Sequence, residues 1–124
     1  MPRYSPVNFQ NVKIEGAFWR ERLDTVLDRT IPSQHRQLRE SGILESLDLK
    51  QPPPPLRVPR DTRGVTQQIF WDSDIGKWVE GAAYALHHRR DAELEAQIDE
   101  IADKLARAQL PDGYVNLWFL GREP

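Results

Sequence analysis

The strongest constraint on what this chain can fold into is a pair of apolar stripes between residues 72 and 110. Ile75, Trp78, Val79, Ala82 and Leu86 form the first. Leu94, Ile98, Ile101, Leu105 and Ala108 form the second, in steps that alternate between four and three. Apolar residues recurring near a 3.6 period bury one face of a helix. The spacing therefore predicts two amphipathic helices, and the short His88-Arg89-Arg90-Asp91 link folds them back as an antiparallel hairpin. Asp72 or Ser73 is expected to cap the first helix and Asp91 the second, each offering a side-chain oxygen to an orphan backbone N–H. His87 to Arg90 place cations where the first helix ends, which its dipole favours.

The preceding region reads as two further helices. Phe18, Leu23, Val26 and Leu27 fall near helical spacing, with charges filling the gaps. Pro32 suits the first turn of a new helix and disfavours helix at the residue before it. One helix is thus expected to end near Arg29 and another to start near Pro32, with Gly42 ending the second. Residues 1–16 read as extended, Val12 and Ile14 alternating around Lys13. Residues 49–66 hold Pro52 to Pro55 in succession, which favours polyproline II. A stiff surface connector is the plain reading of that stretch, and a ligand for a proline-recognition domain is the other. Pro111-Asp112-Gly113 marks a turn, and Tyr114 to Phe119 then reads as a short strand or extended segment. The fold class is mainly α, with short extended segments at both ends.

Composition removes several functions. The chain has 124 residues, the size of one small domain, and a net charge of -2. That balance does not make a nucleic-acid platform. It contains no cysteine, so disulfides, thiol nucleophiles and cysteine zinc sites are excluded within it. No apolar run approaches the roughly 18 residues of a membrane span, and the N-terminus lacks the pattern of a signal peptide. A soluble, cytoplasmic protein is the default expectation.

Candidate chemistry centres on Phe70-Trp71-Asp72-Ser73-Asp74. Paired carboxylates run glycoside hydrolysis, one as acid and one as base or nucleophile. Residues i and i+2 on a helix point apart, however, so Asp72 and Asp74 suit helix capping or ligand contact better than a catalytic pair. Gln67, Gln68, Trp71, Tyr114, Asn116 and Trp118 supply the aromatic faces and amides that sugar sites use, or simply core at element ends. Lys77 and Glu80, spaced i and i+3, are placed for an ion pair on one face. The histidines carry little: His87 and His88 are adjacent and share no helical face, and His35 stands alone.

The motifs taken together resemble the N-terminal part of glycoside hydrolase family 127, the β-L-arabinofuranosidase type. The resemblance rests on FxDSDxxKWxE from Phe70 to Glu80, on the aliphatic hairpin, and on AQxxDGYxN from Ala108 to Asn116. The earlier VKIEGAFWRERL and TIPSQ segments are similar as well. It implies an (α/α)6 barrel of which this chain holds only the first helical hairpins, so that residues 1–124 form the N-terminal portion of a catalytic domain. It also implies retaining cleavage of terminal β-L-arabinofuranosides by a zinc-bound cysteine thiolate, with a glutamate as acid/base. Those groups are expected beyond this chain, as is an HE-type sugar-contact motif. No cofactor is therefore expected here, although zinc is expected in complete members. Trp71 departs from the family, where glutamine is commoner. Positions suited to sugar contact are Gln34, Asp72, Asp74, Asp112 and Tyr114, which match the family motifs, and Trp71, which departs from them.

Three readings follow. The first is a helical piece of such a hydrolase, inactive alone, with carbohydrate as partner and its apolar stripes covered by the rest of a barrel or by a second copy. The second is a non-catalytic helical module that self-associates or binds carbohydrate or peptide. The third is a small enzyme using Asp72, Asp74 and Asp112. Trp118 and Phe119 favour the first, since nothing after them in this chain can cover them.

Overall fold

A computed structural model describes residues 4–49 and 71–120. Residues 50–66 of the proline-rich connector, with Gln67, Gln68 and Phe70, lie outside that range. Asn8 accepts the Gln10 N–H at 3.0 Å and starts a 3-10 turn over Phe9–Asn11, where an extended segment is predicted.

Helix α1 (Ala17–Thr25) runs through a π-helical turn (Val26–Thr30) into α2 (Ile31–Glu40). The break expected between Arg29 and Pro32 is absent. Proline lacks an N–H, and its ring crowds the carbonyl four residues back. Widening the preceding turn resolves both problems without parting the rod. Ile31 N–H bonds to the Val26 carbonyl, and the Thr30 hydroxyl donates to the Thr25 carbonyl at 3.5 Å. Pro32 sits in the first turn of α2, directly after the widened turn.

Gly42 ends α2 as expected. Its φ of 77° lies in the left-handed region, and Gly42 and Ile43 donate back to Arg39 and Leu38, both at 3.0 Å. This is the Schellman arrangement, and it turns Ile43 into the core. A 3-10 turn at Glu45–Asp48 then buries Leu47.

The predicted hairpin is present as α3 (Trp71–His88) and α4 (Ala92–Ala108). Asp91 caps α4 as expected, accepting from Glu93 and Leu94 at 3.0 and 3.1 Å. Asp72 and Ser73 are not caps of α3. The helix already includes Trp71, which places both inside its first turn. The buried stripe of α3 is Ile75, Trp78, Ala82 and Ala85, with Leu86 half-buried; in α4, Ile101 and Ala108 are the most buried.

The turn at Pro111-Asp112-Gly113 forms, with Gly113 at φ 91° and its N–H on the Leu110 carbonyl at 2.8 Å. Of the short strand or extended segment expected after it, residues 114–116 form no helix and no strand. Leu117–Leu120 is a single helical turn, α5. No other strand exists among the described residues to supply a ladder, and a lone strand has no use for its backbone groups.

One apolar cluster joins α2, the loop after it, α3, α4 and α5. Arg39 and Lys104 both reach Glu100, at 4.0 and 3.3 Å, and Lys104 also reaches Asp48 at 3.7 Å. These ion pairs rim the cluster and add little to its stability. Helix α1 gives the cluster no buried residue. Phe18 and Trp19 remain 58% and 60% exposed, in edge contact with each other, with the Arg22 guanidinium over the Phe18 ring. Among the described residues no helix is long and apolar enough to cross a membrane.

Candidate functional site

Among the described residues, two long-range side-chain to backbone bonds tie α3 to α5 and to α2. Asp72 Oδ1 accepts the Leu117 N–H at 3.0 Å, across 45 residues of chain. Trp78 Nε1 donates to the Ile31 carbonyl at 3.0 Å, across 47. The first holds α5 and the second holds the start of α2. Trp78 is 4% exposed, and its indole donor is thus satisfied inside the core.

Asp74, two residues beyond Asp72, faces elsewhere. It pairs with Lys77 at 3.3 Å, so Lys77 turns to Asp74 and not to Glu80. That pairing places both on a groove of about 380 Å³ between α2 and α3. Gln34, Gln37 and Ser41 line its α2 side, and Leu38, Ile43 and Trp78 give it an apolar base. Amide, hydroxyl, carboxylate and ammonium groups over an apolar base suit a polyhydroxylated ligand with one less polar face.

Of the predicted site residues, Gln34 and Asp74 come together in this groove. Asp72 does not line it; its carboxylate is engaged by a backbone donor. Asp112 and Tyr114 do not line it either. Asp112 Oδ1 accepts the Tyr114 N–H at 2.9 Å, shaping the turn, and the Tyr114 side chain stands 47% exposed. The side chain of Trp71 lies outside what the structure describes. Sequence reasoning missed Gln37 and Ser41. Their spacing of three and seven from Gln34 puts them on the same helical face, a signal that was available.

His35 is the other residue that sequence did not place. It is 8% exposed, with its ring 4.8 Å from Trp78 and tilted by 36°. Burial holds its pKa below the usual 6.5; Arg39 pushes the same way, and Glu100, Glu93 and Glu45 oppose. The unfolded chain therefore binds a proton near pH 6.5 that the folded chain refuses. Stability from this group is complete above about pH 6.5 and declines as pH falls toward the lowered folded value. Thermal unfolding at about pH 7.5 and pH 5.5 should show a larger acid-side loss in the parent than in His35→Phe. Equal losses in the two proteins would refute that.

The chain's residues 11–123 match the family model described as β-L-arabinofuranosidase, GH127 catalytic domain. The chain belongs to that family. It is also similar to a non-reducing end β-L-arabinofuranosidase of Bifidobacterium longum subsp. longum, 32% identical over 124 residues. That alignment takes in 86% of this chain but only 18% of the relative, so the chain spans less than a fifth of that protein. No solved structure matches it.

Among the described residues, none is grouped to hold zinc. The sequence has no cysteine, and among the described residues no three His, Asp or Glu side chains group as a metal site. No chemical step is therefore assigned to a metal held by these residues.

Proposed function

We propose that this chain is the N-terminal helical sector of an (α/α)6-barrel hydrolase that cleaves terminal β-L-arabinofuranosides with retention. Residues 1–124 then supply shape and a contact at the rim of the sugar pocket. The nucleophile and the acid/base belong to polypeptide outside them. The match over residues 11–123 carries this reading, because it spans both the IPxQ and DSD motifs whose Gln34 and Asp74 share one groove. In that groove the Gln34 amide donates to and accepts from sugar hydroxyls and the Asp74 carboxylate accepts from them, while the Lys77 ammonium orients Asp74. Asp112 and Tyr114 act at the margin, the turn presenting the phenol. Carbohydrate is the partner in this reading.

Titration of the isotope-labelled chain with L-arabinose tests the groove. The side-chain amide signals of Gln34 and Gln37 should shift, and Asp74→Asn should weaken the response. The Gln97 amide, which bonds to Glu93 on α4, serves as the internal control. Shifts confined to Gln97, or none at Gln34, would reject the groove as a sugar contact.

A second reading, a helical module that self-associates, is favoured by one feature: Phe18 and Trp19 stand largely in solvent. Light scattering distinguishes it. A stable dimer of the chain that Trp19→Ser converts to monomer would support it, and a monomer at all concentrations would dismiss it.

A further inference from the structure

We infer that Asp72 is a positioning residue that docks the 114–120 segment onto α3. It does so by capping a helix to which it does not belong. Its carboxylate oxygen takes the N–H of Leu117, the first residue of α5. The first N–H groups of a helix have no partner inside it and need one from elsewhere. The four described residues of α5 are too few to hold a helical turn by themselves in water. Its fixation therefore comes from outside.

Two of its anchors lie among the described residues. Leu117 is fully buried, in the same cluster as Ile75, which lies one turn along α3 from Asp72. The Asp72 bond supplies the polar anchor, one helical turn from Ile75. The turn upstream needs no help. Asp112 accepts from Tyr114, Gln109 Nε2 donates to the Gly113 carbonyl at 2.9 Å, and Leu110 N–H reaches the Tyr114 carbonyl at 2.9 Å. A self-organised turn thus meets a helical turn that depends on α3, and Asp72 spans the joint.

The two aspartates of the DSD motif consequently have separate duties. Asp72 is consumed by the backbone and fixes where the DGYxN segment lies relative to α3. Asp74 is left to the groove. An asparagine at position 72 keeps the Oδ1 acceptor and should keep the docking, whereas alanine removes it. This inference does not depend on which ligand the groove takes.

Amide hydrogen exchange on the 124-residue chain tests it, with Ile101 in the middle of α4 as reference. In Asp72→Ala, protection of the Leu117 amide should fall roughly five- to thirtyfold, the range of one lost cap, while Ile101 keeps its parent protection. In Asp72→Asn, Leu117 should stay within about threefold of the parent, since the acceptor remains. Unchanged Leu117 protection in Asp72→Ala would overturn the inference. So would a parallel loss at Leu117 and Ile101 in both variants, which would make Asp72 a support of the whole fold.

Discussion

Replacing Trp78 with alanine is expected to cost about 3–5 kcal/mol and to leave the chain largely unfolded at room temperature. The indole is 4% exposed at the centre of the only helix that touches both α2 and α5 through side-chain to backbone bonds among the described residues. Removing it opens a cavity beside His35 and strips the Ile31 carbonyl of its indole donor. The two losses separate in Trp78→Phe. That variant keeps most of the apolar bulk and loses the donor with a smaller cavity, so it should cost about 1–3 kcal/mol. Chemical denaturation monitored by circular dichroism gives both values. Equal, small losses for alanine and phenylalanine would mean that neither the ring nor its N–H bears on the α2–α3 joint.

Ile75→Ala should be the next most damaging change, at about 2–5 kcal/mol, with Ile75→Val at about 0.5–1.5. Ile75 is fully buried and lies between the two ties that α3 makes. The spread between valine and alanine reports how tightly its surroundings are packed, because a site that can collapse costs less. The same denaturation experiment applies. Near-parent stability of Ile75→Ala would show that the cluster closes over the gap and that α3 is not its centre.

The features legible in the sequence were those that depend on near neighbours. The α3–α4 hairpin follows from two apolar stripes, the α4 cap from Asp91, and the end of α2 from Gly42. Each involves partners within a turn or two. The misses involve distance or competition. Pro32 marks a boundary locally, yet a widened turn at 26–30 lets the helix run on. Tyr114 to Phe119 have strand-like composition, yet with no ladder partner among the described residues Leu117–Leu120 closes a helical turn whose first N–H meets the Asp72 carboxylate. That carboxylate's acceptor role cannot be read from a motif, because its donor lies 45 residues away. His35 looked isolated for the same reason: Trp78, which covers it, is on another helix. The family motifs, by contrast, were legible because several occurred in order along one chain.

The division of duties also explains why the DSD motif resembled a catalytic pair and is not arranged as one. A double displacement needs two carboxyl groups, or a nucleophile and an acid, converging on one bond. Here Asp72 is committed to a backbone N–H and Asp74 to Lys77, on diverging directions.

That claim, that this segment gives shape and contact but breaks no bond, is tested most directly by assaying the purified 124-residue chain on an aryl β-L-arabinofuranoside. The expected result is release of the aryl group at the buffer rate, unchanged by Asp74→Asn. Release above buffer that disappears in Asp74→Asn or Asp112→Asn would contradict it, and would place the chemistry in the carboxylates of this chain.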